Sequence, residues 1–287
     1  MSEHRILLIE HQAYLSIDLG RLCIRRQQQE NVLVLPSDIA VICLHHPAIT
    51  LTVQALQTLS QEGAVILVTD NLHQPLAQVY PLLAPMRQTL RLLQQFELKE
   101  SDWREIVWQS LVQGRLRGEA AVLRNLGKKG ALFLERLANQ VQPGDKSQCE
   151  SQGARHYWKI LMPDGFKRSK QGATDALNVR LNFGYAVLRS LIARSLACAG
   201  LNGCLGVGHY NQQNPLNLAD DLIEPYRFLV EWRVARKFVQ SEHQTFNADD
   251  RKDLVQVLDA VHANRIPGPI LLPEYQRWAL MGGGSCG

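Results

Sequence analysis

The sequence predicts an α+β protein, with a small, mostly-β domain at the N-terminus followed by a larger all-α helical domain that carries the active site. Three observations predict it. Short apolar runs with strand-like spacing fill the chain up to Leu83. From Met86 onward the apolar period lengthens to nearly four, and helices dominate. The stretch that gathers carboxylates beside a histidine, Leu205 to Arg227, lies in this second part. With 287 residues and 46% hydrophobic content the chain can bury a large core, and two domains are expected, at 1–84 and 85–287.

In the first domain, RILLIE (Arg5 to Glu10), YLSIDL (Tyr14 to Leu19), RLCIRR (Arg21 to Arg26), NVLVL (Asn31 to Leu35) and IAVICL (Ile39 to Leu44) read as strands. Leu15, Ile17 and Leu19 alternate with Ser16 and Asp18, and Gly20 falls where a tight turn is needed, so a hairpin joins the second and third runs. Leu51, Ala55, Leu56 and Leu59 recur at helical spacing within Ile49 to Glu62, and Gly63 closes that helix. AVILVT (Ala64 to Thr69) is a further buried strand. His45, His46 and His73 stand at strand ends and turns without a partnering acid pattern, and they read as structural.

In the second domain Met86 to Phe96 is one helix, and Ser101 caps another running to Leu126 before Gly127. Ala131 to Val141 is a third, followed by the turn Gln142-Pro143-Gly144-Asp145. Gln148 to Leu161 places Glu150 near a helix start, where the helix dipole favours a carboxylate whether or not it has a further role. Asp175 to Gly200 carries Leu177, Leu181, Leu188, Ile192 and Leu196 as a core stripe, and its length suggests a central place in a helical bundle. Asn182 and Tyr185 lie near its polar edge, where they either orient a site or pack. Tyr226 to Val239 is amphipathic, and Asp249 to Ala263 is a last helix stopped by Pro267-Gly268-Pro269. The tail Met281 to Gly287 has too much glycine to fold on its own.

If the segment after Pro215 is helical, Leu218, Leu222, Tyr226 and Leu229 share one stripe, with Asp220, Asp221 and Glu224 opposite. These carboxylates are three or four residues apart with no Lys or Arg between them, so they repel. A solvated face tolerates that through screening, whereas a divalent cation turns it into attraction. Pro225 kinks or ends the helix just after Glu224, and His209 lies upstream on a Gly-rich approach. Spacing alone leaves both readings open.

Arg155, Lys159, Lys167, Arg168, Lys170 and Arg180 gather in one segment with Tyr157 and Trp158 interleaved, and Phe166 to Thr174 reads as an exposed loop. Such a mixture suits a phosphate backbone and unstacked bases; a solvated helix face beside a loop is the rival reading. The net charge of +4 is mild. The six cysteines lack CxxC spacing, which favours free, mostly buried thiols over disulfides or a zinc site. No basic-then-apolar leader and no apolar run near membrane length is present, so no membrane association is expected and the default location is cytoplasmic.

GDKSQCESQGARHYW (Gly144 to Trp158), LNFGYAVLRS (Leu181 to Ser190) and GHYNQQNPLNLADDLIEP (Gly208 to Pro225), in this order and spacing, resemble the CRISPR-associated integrase family. That family supplies the catalytic subunit of the spacer-acquisition complex, and the likeness is to the form accompanying type II systems, over about Arg5 to Val239. The resemblance implies that Glu150, His209 and Glu224 are the metal-binding and catalytic residues, holding Mg²⁺ or Mn²⁺, with Asp220, Asp221 and Asn182 behind them. Relatives often carry two adjacent histidines before a basic residue, where this chain has Gly208-His209-Tyr210. The implied reaction is attack of a 3′-hydroxyl of new spacer DNA on a phosphodiester at the CRISPR repeat; with water as the attacker the same centre is a nuclease. The resemblance further implies double-stranded DNA as partner, a homodimer through the β domain, and a smaller ferredoxin-like adaptation protein bridging two dimers. In type II relatives the effector nuclease and its tracer RNA also take part. A catalytically silent DNA-binding scaffold and a metal hydrolase of small molecules are the alternatives from other classes.

Overall fold

The computed structural model describes residues 5–70, 75–79, 81, 88–170, 172–199, 201–238 and 245–262. His73, Met86 at the expected domain boundary, Gly200 and Val239, the Pro267-Gly268-Pro269 stop, and the Met281 to Gly287 tail with Cys286 lie outside the described residues. By contacts the described residues form two units, one from residues within 1–86, 173–198 and 244–266, the other from residues within 87–172 and 199–243. This grouping is not collinear with the expected division at 84/85, because two helices from the second half join the first unit.

That unit is built on two four-stranded sheets. β1 (Arg5–Ile9), β5 (Ile39–Leu44) and β7 (Val65–Thr69) run parallel, and β8 (Pro75–Val79) closes the edge antiparallel to β7. In the second sheet β4 (Val32–Val34), β3 (Arg21–Arg25) and β2 (Tyr14–Asp18) are antiparallel, and the two-residue β6 (Thr50–Leu51) pairs parallel with β2. The expected hairpin is present, with Leu15 opposite Ile24 and Ile17 opposite Leu22. Helix α1 (Val53–Gln61) starts four residues later than the apolar spacing suggested, where Thr52 caps it by accepting from the Ala55 amide at 3.1 Å. Leu15, Leu22, Ile42, Leu59 and Ile66 pack into one core beneath that helix.

Parallel strands are normally buried on both faces. Here α6 (Ala176–Cys198) lies against β5, β7 and β8, and α9 (Ala248–His262) lies against β1 and α6. The expected leucine stripe is real, with Leu177, Leu181, Leu188 and Leu196 buried. Its partner is the sheet, which corrects the expectation of a central helix in a bundle. Arg180 of α6 is correspondingly not at a surface. It is 5% exposed and is bound to Asp250 of α9, with Nε to Oδ2 at 3.1 Å and Nη2 to Oδ2 at 2.6 Å. His45, also buried, has Thr69 Oγ1 at 3.2 Å from its Nδ1 and the Phe183 ring beside it, while His46 accepts from the Ala48 amide.

The second unit is helical: α2 (Gln88–Lys99), α3 (Trp103–Asn125), α4 (Ala131–Gln140), α5 (Cys149–Leu161), α7 (Asn217–Ile223), a 3₁₀ turn at Glu224–Tyr226, and α8 (Arg227–Phe238). α3 is its axis and touches every other one of these helices. Ser101 does not cap it; its hydroxyl donates to the Leu98 carbonyl and finishes α2. α5 approaches α3 closely at Gly153, where an added Cβ would stand 2.2 Å from Leu116 Cδ2. Cys23, Cys43 and Cys149 are free and buried, and Cys204 is free and exposed. No helix among the described residues is long and apolar enough to cross a membrane.

Candidate active site

Asp145 begins the construction of the site. Its carboxylate accepts from the amides of Cys149 (2.8 Å) and Glu150 (3.1 Å), satisfying the first turn of α5. That fixes Glu150 at the helix start, and the close approach at Gly153 brings it to α3. There Nη1 of Arg115 donates both to Glu150 Oε1 and to Glu224 Oε2, the latter at 2.6 Å. Arg115 Nε donates to Glu119 Oε1, one turn along α3, at 3.0 Å. Arg227 Nη2 takes the other oxygen of Glu224 at 2.8 Å.

Spacing placed Glu224 and Asp221 opposite an apolar stripe and left open whether that face is solvated; the structure buries both. Asp221 is fully buried and Glu224 is 3% exposed. Pro225 ends α7 as expected, and the 3₁₀ turn it starts aims Glu224 at α3. Glu150 keeps 33% side-chain exposure, so the cluster opens to solvent on the α5 side.

His209 is held by Asp221 rather than standing beside it as a second acid. Asp221 accepts from the backbone amides of Val207, Gly208 (3.1 Å) and His209 (2.8 Å), and from the ring at Nδ1 (2.7 Å). The ring stands edge-on to Trp108 of α3, with centroids 5.8 Å apart. With Nδ1 committed to a carboxylate, the lone pair of the neutral imidazole falls on Nε2. The loop folds this tightly because residue 206 is glycine: a Cβ there would meet the His209 carbonyl at 2.5 Å and Asp221 Oδ2 at 2.9 Å. Asp220 is separate, accepting from Asn214 Nδ2 at 2.6 Å. Asn182 sits on α6, in the sheet-based unit, whereas Glu150, His209 and Glu224 belong to the helical one.

The electrostatics follow from burial and crowding. The hydrogen bond to Asp221, with Glu224 and Asp220 adding to it and burial opposing, raises the His209 pKa above its ordinary value. Burial alone would push Glu224 up, but Arg115, Arg227 and His209 together hold it below the usual carboxylate range. Burial, with Glu231 and against the pull of Arg115, pushes Glu119 up to about 8. Burial also disfavours the Arg115 charge, yet Glu224, Glu119 and Glu150 hold it well above its ordinary value.

Among the described residues no three His, Cys, Asp or Glu side chains stand converged on a point where a metal ion would bind. The Arg115 guanidinium stands between Glu150 and Glu224 instead. The donor chemistry nonetheless fits a hard divalent cation: carboxylates outnumber the arginines that touch them, and one imidazole presents Nε2. Arg115, Glu119 and Asp145 were not singled out in the sequence. The Arg115/Glu119 spacing is the common i,i+4 pair of any helix surface, which carries no site information by itself.

Of the expected DNA-contacting residues, Arg155, Lys159, Lys167 and Lys170 are exposed and Arg168 half-buried, all in the helical unit. Tyr157 is fully buried and packs near Trp158, with ring centroids 5.6 Å apart. It is a core residue, because position 157 of α5 faces inward with Gly153 and Leu161. Arg180, bound to Asp250, is the second correction.

The fold and the relatives together define a protein of the nuclease and integrase class of CRISPR adaptation. The family model described as CRISPR associated protein Cas1 matches residues 6–258, and the chain belongs to that family. A CRISPR-associated endonuclease Cas1 from Neisseria meningitidis serogroup C is 33% identical over 237 residues, covering 82% of this chain and 76% of the relative. Among solved structures, a Cas1 protein from Thermotoga maritima aligns over 98% of both chains at TM-score 0.81 and 14% identity. A casposase bound to integration product aligns over 97% of this chain and 90% of that one, at TM-score 0.76 and 19% identity. These last two are likenesses of fold.

Proposed function

We propose that this protein is the integrase of CRISPR adaptation, a divalent-metal-dependent enzyme that joins 3′-hydroxyl ends of new spacer DNA to the CRISPR repeat. The observation that carries the reading is the meeting of Glu150 and Glu224, 74 residues apart in sequence, around one cationic group, beside an imidazole whose Nδ1 is tied to Asp221. In the reaction the 3′-oxygen of the incoming strand bonds to phosphorus, the P–O bond of the repeat strand breaks, and a repeat 3′-hydroxyl is released. One phosphodiester replaces another, so no protein nucleophile is required, and catalysis consists of positioning and charge stabilisation.

Glu150, Glu224 and His209 through Nε2 would hold Mg²⁺ or Mn²⁺. That ion supplies Lewis acidity at the phosphoryl oxygens and stabilises the departing oxygen. Asp221 sets the His209 ring and its tautomer, and Asp145 sets Glu150 at the start of α5. Arg155 and Lys159, four residues apart and exposed on α5, together with Lys167, Arg168 and Lys170 on the following loop, hold the DNA backbone near Glu150. A second copy of the chain, paired through its β-rich part, and a smaller ferredoxin-like subunit bring two such centres to the two repeat strands; the type II effector nuclease joins in choosing fragments.

Purified protein is mixed with a 3′-hydroxyl duplex, a repeat-bearing plasmid and Mn²⁺, with and without the smaller subunit, and joined product is scored. Joining is expected in wild type and absent in Glu150→Ala, His209→Ala and Glu224→Ala at unchanged circular dichroism and DNA affinity. Activity in a folded variant removes that residue from the site. Binding of DNA with no Mn²⁺-dependent joining or cleavage by any combination would favour a silent scaffold.

A further inference from the structure

Arg115 is 11% exposed at its side chain, yet three carboxylates reach it. A single nitrogen, Nη1, donates to both Glu150 and Glu224, so the oxygens that those residues turn toward each other are already committed. A metal ion ligated by the same two oxygens at normal distances has no room while that nitrogen stands between them. The guanidinium has a second place to go. Its Nε is already on Glu119 Oε1 at 3.0 Å, and the other oxygen, Glu119 Oε2, is buried without a hydrogen-bond partner. Glu119 is 1% exposed, so that empty acceptor is costly where it stands. A guanidinium and a carboxylate satisfy each other best as a two-bond fork, and one bond of that fork exists here.

We infer that Arg115 is a resident counter-cation of the site: it holds Glu150 and Glu224 together in the metal-free enzyme and retreats onto Glu119 to admit a divalent ion. The inference rests on the reading of Glu150, His209 and Glu224 as that ion's ligands. It makes Arg115 a competitor of the metal and Glu119 a positioning residue acting through Arg115. It also explains why a cluster of acids remains assembled without an ion: mutual repulsion is offset internally, and the offset is withdrawn when the ion arrives.

The test measures Mn²⁺ affinity of the full-length protein without DNA, by calorimetry or by the electron paramagnetic resonance signal of free Mn²⁺, with melting temperatures beside it. Arg115→Gln is expected to bind Mn²⁺ tighter by about tenfold or more, since a competitor that must be displaced has been removed. Damage to the fold would loosen binding instead. Glu119→Gln is expected to weaken Mn²⁺ binding by about tenfold at near-constant melting temperature, because an amide has a single acceptor oxygen and cannot complete the two-bond fork. Equal or weaker Mn²⁺ binding in a folded Arg115→Gln overturns the inference while leaving the metal reading in place. If Arg115→Gln fails to fold, Glu119→Gln decides, and unchanged affinity there overturns it. Absence of Mn²⁺ binding in wild type and both variants brings down the inference and the metal reading together.

Discussion

Arg180 and Arg115 are both bound to carboxylates at low side-chain exposure, and their surroundings differ in one respect. Arg180 of α6 is bound to Asp250, and it also donates to the Ala176 carbonyl at 3.1 Å and the Thr245 carbonyl at 3.5 Å. Asp250 in turn shares its oxygen with the Asn247 amide at 3.3 Å at the start of α9. The ion pair described there joins one cation to one acid. Arg115 meets three acids, with Glu231 also buried close enough to act on its charge, and Arg227 bonds to one of the three. A balanced pair pins two helices, whereas an overfull one retains attraction for another cation.

The largest effect expected from breaking the comparison is on stability. Arg180→Ala or Asp250→Ala strands a buried charge and should cost about 3–5 kcal/mol, read by urea or thermal unfolding. An apolar pair of similar volume, Arg180→Met with Asp250→Leu, should recover most of it. DNA affinity per folded molecule should stay the same. A stable Arg180→Ala protein that has lost DNA affinity would restore the surface role that the sequence suggested.

Next is Asp221, the buried acid that serves the site without touching Arg115. Asp221→Ala leaves three backbone amides and one imidazole without their acceptor. Mn²⁺ affinity is expected to fall by about 10–100-fold, the range for loss of a ligand-orienting carboxylate. Asp221→Asn should fall less, keeping an acceptor for the amides. Equal affinity in both variants and wild type would detach His209 from the ligand set.

These residues also mark what was legible in the sequence. The strands, the hairpin and most helix bounds could be read because apolar period and turn residues are local signals. Glu150, His209 and Glu224 were legible only as members of a motif set, and spacing left the surroundings of Glu224 open. A helical wheel shows which residues oppose the leucines, but whether that side meets water or α3 is a tertiary fact. The same limit hid the place of α6, whose stripe fits a bundle and a sheet equally well. It also hid Tyr157, whose ring suits a base as well as a core. Arg115 was invisible because its partners lie 35 and 109 residues away.

A smaller, pH-dependent effect separates the acids around Arg115 from one another. Glu119, raised to about 8 from an ordinary 4.5, binds a proton in the folded state over a window in which the unfolded chain has lost it. Its linkage contribution is therefore fully present below about 4.5 and is lost as pH rises through about 8, by at most about 1.4 kcal/mol per pH unit for one proton. Glu224 runs the other way: its pKa is lowered on folding, so its contribution is present above the ordinary carboxylate value and lost as pH falls through the folded one. Glu119→Gln should flatten the decline on the alkaline side and leave the acid side in place, as measured by urea unfolding across a pH series. An unchanged profile would mean that Glu119 is ionised throughout and that its free oxygen is satisfied in solution.

The smallest effect per residue belongs to the exposed cations, and it tests the comparison from outside. Arg155 and Lys159 on α5 and Lys167 and Lys170 on the next loop face solvent, unlike Arg115 and Arg180. Each one that neutralises a DNA phosphate releases about one counterion, so replacing it with Ala should shallow the slope of log affinity against log salt by about one. The loss should be similar for unrelated DNA sequences, because phosphate contacts position DNA without reading it. Arg180→Ala should leave that slope at the wild-type value, its charge being committed to Asp250. If the four surface variants also leave it unchanged, the DNA path runs elsewhere on the protein, and Glu150 would have to be reached from a side other than the exposed face of α5.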